Sequence, residues 1–307
     1  MTATIPLFGP AGAPMPVHTV DGWHPAASAG PTWRYGGGYA NQPWRRATAI
    51  AALLALGLAS GLAQAAPLTV ANPGFEADSI TPGDFVVLQP QAWLPYDPNV
   101  LLVAQPGLNA VGAIRPLPGT EYFPGGTPEG NNAALVFLAG DGSGEAGLQQ
   151  MLSATLQAGQ RYTLRVDVGN IASGTSLAGS SGGAGVFFNL NGFPGYRLDL
   201  MAGASVLASD VNSIGGTIPE GQFRTATLGF DAGAAAPALI GQALGIRLVN
   251  LKQPGTLASP NIEVDFDNVR LDVSPVPEPS TLALWLGGTL LIGGAVARSR
   301  QRAAATR

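Results

Sequence analysis

Between Tyr162 and Val168 the chain alternates strictly: Tyr162, Leu164, Val166 and Val168 are apolar, whereas Thr163, Arg165 and Asp167 are polar. A period of two sends successive side chains to opposite faces of a pleated strand, so this run predicts a half-buried strand. Similar short runs lie at Ala134–Leu138, Val186–Leu190, Tyr196–Leu200, Arg224–Phe230 and Leu244–Asn250. Clusters of Gly, Ser, Pro and Asn, such as Ser173–Gly185, separate them and mark loops. No segment sustains a helical stripe over ten residues, and Pro237 interrupts the one stretch, Ala232–Ala243, that could turn helically. Many short strands joined by long turns predict an all-β protein, an antiparallel β-sandwich of the jelly-roll kind.

The last strand slips its alternation. In Ile262–Val273 the apolar residues fall at even numbers up to Phe266 and at odd numbers from Val269. One extra residue accounts for the switch, so a bulge is expected at Asp267-Asn268, grouping Asp265, Asp267 and Asn268.

Two longer apolar segments follow a different logic. Ala47–Ala63 comes after Arg45-Arg46 and ends in the small-x-small sequence Ala63-Gln64-Ala65. Basic, apolar and small-residue parts in that order predict a secretory signal peptide cleaved near Ala65. The polar stretch before it, Met1–Trp44, is too long for a signal's basic region. A start placed too far upstream accounts for it, with a twin-arginine export signal as the alternative; residues 1–65 are set aside from the fold. The second segment, Thr281–Ala297, has no charge and is followed by Arg298, Arg300, Arg302 and Arg307. As a helix it would span about 25 Å at ~1.5 Å per residue, just short of a ~30 Å hydrocarbon core, and is expected to be a transmembrane helix with the basic end inside.

Pro277-Glu278-Pro279 stands just before that span. The triplet, the Leu/Gly-rich span and the arginine cluster together resemble the PEP-CTERM sorting signal, across Pro275 to Arg307. The resemblance implies recognition of Pro277, Glu278 and Pro279 by an exosortase. It further implies transient membrane anchoring, then delivery to the cell surface or extracellular matrix of a Gram-negative bacterium. The chain then divides into a signal segment (1–65), a β-sandwich (66–275) and a sorting tail (276–307).

Composition narrows the chemistry of the central part. The chain holds 43 Gly and 26 Pro, only 11% charged residues and no cysteine. Its two histidines, His18 and His24, both precede the expected cleavage site. Residues 66–275 therefore lack disulfides, thiolates and imidazoles, which excludes Ser-His-Asp triads, Cys-His pairs and His-ligated zinc. That part carries eight basic residues against 17 acids, a balance of −9. Such an acidic domain does not bind nucleic acid by neutralising phosphates. The remaining catalytic route is a carboxylate pair of the glycosidase type, for which Asp141, Glu145, Asp167 and Asp199 are candidates, but their spacing identifies no general acid.

The ends of this domain match one another. Asn72-Pro73-Gly74-Phe75-Glu76 opens it, Val264-Asp265-Phe266-Asp267-Asn268-Val269-Arg270-Leu271 closes it, and Leu148-Gln149-Gln150 with Leu156-Gln157-Ala158-Gly159-Gln160-Arg161-Tyr162-Thr163-Leu164 lies between. These runs resemble the galactose-binding-like jelly rolls of carbohydrate-binding modules. The resemblance implies adjacent first and last strands with a structural calcium (Ca2+) between their ends. Glu76, Asp78, Asp265 and Asp267 would then be ligands, toward the six to eight oxygens such a cation takes; the alternative is that they are solvated strand-end acids. Sugar binding asks for aromatic faces, for which Trp93, Tyr96, Tyr122, Phe123 and Tyr196 are candidates, unless Trp93 instead seals one end of the core. The expected function is a noncatalytic surface or matrix protein that associates with exopolysaccharide. A glycan-active enzyme and a purely structural protein are the alternatives.

Overall fold

In the computed structural model the described residues are 64–177, 181, 183–235, 237–276 and 279–305. The chain divides into two units, Met1–Ser60 and Gly61–Arg307, of which the first lies outside the described residues together with the expected signal peptide.

The first half of the sandwich comprises β1 (Ala66–Leu68), β2 (Asp84–Val86), β3 (Leu94–Tyr96), a single helical turn α1 (Leu101–Ala104), β4 (Asn109–Arg115), β5 (Ala133–Leu138), β6 (Ala146–Thr155) and β7 (Gln160–Asn170). A short pair follows, β8 (Gly174–Thr175) and β9 (Phe187–Phe188). The second half comprises β10 (Tyr196–Ala202), β11 (Ser205–Val211), β12 (Gln222–Asp231), β13 (Ala243–Asn250) and β14 (Glu263–Pro275), and helix α2 (Pro279–Ala304) ends the fold. The Ala232–Ala243 stretch makes two 3-10 turns, Ala232–Ala234 and Pro237–Leu239.

All pairings between the named strands are antiparallel, as expected. The first sheet runs β12-β7-β14-β5-β4-β2, with β1 also on β14, and the second runs β11-β10-β13-β6-β3. Strand β14 is the spine of the first sheet: β7 flanks one side, while β5 and then β1 share the other. Its register shifts between Asp267 and Arg270, and Asn268 takes a φ of 51°, so the expected bulge is present. It returns Val269 and Leu271 to the inward face that Val264 and Phe266 occupy.

The main core lies between the sheets. The alternating residues Leu164, Val166 and Val168 of β7 meet Leu198 and Leu200 of β10 and Ile246 and Leu248 of β13 there. Burial of such a side chain is worth about 1.5–3 kcal/mol, and this is where the fold's stability resides. Strand β5 departs from simple amphipathicity. Its even residues Ala134, Val136 and Leu138 enter the main core, while Ala133, Leu135 and Phe137 join a second cluster on the opposite face. A strand apolar on both faces must be covered on both, and the outer cover of this sheet builds the site described below.

The expected membrane span is corrected here. Thr281–Ala297 does lie within one helix, but among the described residues no helix is long and apolar enough to cross a membrane. Helix α2 carries the pairs Gly287-Gly288 and Gly293-Gly294 and runs on into Arg298, Arg300 and Arg302, which dilute its apolar character.

Candidate active site on the outer face of the first sheet

The outer face of the first sheet is roofed by the segments around Phe123, Ile171 and Leu190, all buried. Phe123 stacks on Phe223 at 4.4 Å, and Phe85 of β2 meets Phe188 of β9 edge-on at 6.3 Å. Between roof and sheet lies a cavity of about 140 Å³ whose walls include Phe85, Ile114, Leu135, Phe137, Phe188 and Leu190. Tyr122 and Glu263 also line it, as do Asp84 and Ser176.

Strand pairing explains how a carboxyl reaches so apolar a place. Val264 and Phe266 face the main core, so Glu263, Asp265 and Asp267 face outward in a row. Glu263 pairs across to Phe137, and Asp265 stands between Leu135 and Gly169. Because the outer face is roofed, all three acids are buried, at 5%, 0% and 0% exposure. A side chain on Gly169 would sit 2.6 Å from the Phe223 ring and 3.0 Å from Asp265 Cβ, so glycine is what leaves room for ring and acid.

Water cannot solvate these carboxylates, and their acidity falls accordingly. Burial pushes Glu263 up to about 8. Burial, and then the neighbouring Glu263 charge, hold Asp265 well above the usual carboxylate range. Neither Asp265 oxygen has a hydrogen-bond partner among the described residues. Burial thus favours the neutral, proton-bearing form of both acids. A neutral carboxylic acid facing an aromatic cavity can donate a proton, and the aromatic faces favour a cation formed beside them.

The residues expected to bind glycan are not brought together. Trp93 is fully buried, stacks on Phe75 at 5.4 Å and donates from Nε1 to the Asn72 carbonyl at 3.0 Å. It seals the core and offers no face to a sugar. Tyr96 lies on the second sheet, donating to Glu145 at 2.9 Å under the Arg247 guanidinium. Tyr196 is buried and donates to Asp210 at 2.7 Å. Tyr122 alone reaches the cavity.

The acids considered for a carboxylate pair are occupied elsewhere. Arg197 bridges Glu145 and Asp199, holding Glu145 below the usual carboxylate range. Asp167 accepts hydrogen bonds from Thr225 and Asn268. Asp141 is exposed in a loop.

The four expected calcium ligands also separate. Glu76 Oε1 accepts the backbone N–H groups of Asn131 and Asn132, and Asp78 accepts that of Gln91. Asp265 shares the outer face with Glu263. Asp267 accepts the N–H groups of Asn268 and Glu129, and burial pushes it up to about 8. Among the described residues no three His, Cys, Asp or Glu side chains converge to hold a metal ion. Two carboxylates do approach one glycine: a side chain on Gly74 would collide with Glu129 and sit 3.5 Å from Asp267 Oδ1. Glu76 meets a different glycine: a side chain on Gly130 would lie 2.5 Å from its carboxyl carbon.

Sequence reasoning missed Glu263. Its signal was present, as three acids alternating with apolar residues on one strand. Such a pattern usually describes a solvated face, and only the roof makes it a buried one.

A family model described as HpiC1-like, HpiC1 cyclase, matches residues 66–272. An apo-form cyclase from Fischerella sp. is 38% identical, covering 70% of this chain and 98% of its own, with a TM-score of 0.59. A Stig cyclase from Fischerella sp. TAU, solved with (3Z)-3-(1-methyl-2-pyrrolidinylidene)-3H-indole, is 41% identical over 70% of this chain and 100% of its own, at a TM-score of 0.59. A cyclase of the same source, solved with 4-(1H-indol-3-yl)butan-2-one, is 40% identical over 69% of this chain and 100% of its own, at 0.60. No curated protein matches.

These matches overturn the noncatalytic reading. The region expected to bind exopolysaccharide is a cyclase domain. The glycosidase and purely structural alternatives fall with it. The PEP-CTERM resemblance and its exosortase partner are corrected too. The matched relatives are small-molecule cyclases, and the membrane-spanning helix that such sorting requires is not found among the described residues. Pro277 and Glu278 lie outside the described residues, and Pro279 begins helix α2.

Proposed function

The chain belongs to the HpiC1-like cyclase family, and from that premise we propose that it closes a ring on an indole-bearing small molecule held in the outer-face cavity. The observation that carries the reading is Glu263, a buried carboxyl pushed up to about 8 that lines an aromatic cavity. The protonated carboxyl donates its proton to a π-bond of the substrate. The resulting cation lies against Phe85, Phe137 and Phe188, and a carbon of the same molecule captures it, forming the new ring bond. Loss of one proton from the cyclised cation returns the carboxylate to its acid form, so the step is an isomerisation that consumes nothing. Asp265 shares the outer face with Glu263, and burial, then the Glu263 charge, favour its neutral form. The indole character of the substrate is supported by the two indole compounds found with the relatives at 41% and 40% identity.

Glu263→Gln keeps the size and polarity of the side chain and removes the transferable proton. It is expected to lower kcat by about 10²–10⁴-fold, the usual worth of a positioned general acid, with ligand binding retained. Full activity in that variant would remove Glu263 from the reaction.

A calcium ion would sit at Glu129 and Asp267, the two carboxylates that approach Gly74, with backbone carbonyls and water supplying the remaining oxygens. Its contribution would be charge neutralisation beside a carboxylate that otherwise sits buried without a cation. Chelator is then expected to lower the melting temperature; identical melts with and without it would dismiss the ion. We read the sandwich as a jelly roll because its first and last strands, β1 and β14, are neighbours. Export with cleavage near Ala65 is proposed from the N-terminal segment, and N-terminal sequencing of the chain from its native host tests it: Ala66 as first residue supports export, and an intact Met1 opposes it.

A further inference from the structure

Resting on the reading of the outer-face cavity as the cyclase site, we propose that Tyr122 sets substrate specificity, its phenol donating a hydrogen bond to a carbonyl oxygen or imine nitrogen on the substrate. Three observations converge on it. The residue takes a φ of 67°, a left-handed conformation that side chains other than glycine adopt at a cost and that persists only where the surroundings impose it. The surroundings do impose it. The Tyr122 carbonyl accepts the Ala172 N–H at 3.1 Å, and its ring lies over Gly174, where a side chain would come within 2.8 Å of Cε1 and 2.9 Å of Cζ.

The second observation is an inventory of polar groups on the cavity wall. Ser176 Oγ accepts the Val186 N–H at 3.0 Å and donates to carbonyls of its own loop. Asp84 accepts the N–H groups of Phe85 and Ser181, both at 2.8 Å. The Tyr122 hydroxyl has no hydrogen-bond partner among the described residues, so beside Glu263 it is the polar group free to meet a ligand. Third, burial, and then the charges of Glu121 and Glu263, push the phenol up to about 12. It keeps its proton throughout the working range and acts as a donor. A half-buried donor on the cavity wall discriminates between ligands that can satisfy it and ligands that cannot.

The test uses calorimetric titration of the full chain with two probes of similar size, 4-(1H-indol-3-yl)butan-2-one, which carries a ketone acceptor, and 3-butylindole, which carries none. Tyr122→Phe leaves the ring and removes the donor. The variant is expected to bind the ketone about three- to ten-fold more weakly, the usual worth of a hydrogen bond, and to bind the alkyl probe as wild type does. Equal weakening of both probes, or of neither, overturns the proposal while leaving the cavity in place. Failure of wild type to bind either probe removes the cavity reading and this inference with it. An unchanged melting temperature for Tyr122→Phe assigns any selective loss to the missing hydroxyl.

Discussion

Asp265 has a glycine on one side and Leu135 on the other, and that arrangement decides what its strand can do. Gly169 lets the Phe223 ring fold over the sheet beside the acid, so Gly169→Ala forces ring, acid or backbone to move. Overpacking of this kind costs about 1–3 kcal/mol, and the variant is expected to melt several degrees lower, as differential scanning calorimetry would read. An unchanged melt would show that the outer layer yields without strain. The residue scale was half legible from the sequence. The alternation of Val264 and Phe266 with Glu263, Asp265 and Asp267 was plain, but which face was dry was not. Acids at every second position look like a wetted strand until a roof over them is known. Trp93 shows the same limit, since nothing in its loop-like surroundings distinguished a sugar platform from a core plug.

At the scale of the element, β14 carries the account. Its bulge was readable because one inserted residue switches the parity of every apolar position after it. Asn268 occupies the bulge at a φ of 51° and donates to Asp167 at 2.9 Å. Asn268→Val would combine a β-branched side chain with a left-handed backbone and delete that hydrogen bond. A loss of roughly 2–4 kcal/mol is expected, measured by urea denaturation. Asn268→Gly keeps the backbone free and should lose less; equal losses would place the whole effect in the hydrogen bond. Strand β5 is legible as a strand from the run Ala134–Leu138, and the structure begins it one residue earlier, at Ala133. That run is apolar at every position, and the pattern of a strand covered on both faces was therefore available. What the pattern could not supply was the identity of the cover, which comes from residues 122–123, 171 and 188–190, distant in sequence and drawn from two loop-like segments and the short run Val186–Leu190.

For the whole molecule, the buried acid row has a consequence for stability. Glu263 and Asp267 are both pushed up to about 8, against about 4 in an unfolded chain. Between those limits the folded state holds more protons than the unfolded one, so stability falls as pH rises and its loss levels off above about 8. In chelator the melting temperature is expected to be higher at pH 5 than at pH 8.5; the reverse order would mean that the carboxyls are ionised in the fold. The absence of His and Cys from the central domain is legible in the composition and leaves it no triad or thiolate. It was carried too far when catalysis itself was set aside, because a carboxylic acid kept neutral by burial needs neither. If protonated Glu263 drives ring closure, the pH dependence of kcat/KM follows its proton. The account predicts a plateau at neutral pH and a fall of about tenfold per unit above about 8. A rate that climbs through pH 8 would show an ionised base at work and contradict it.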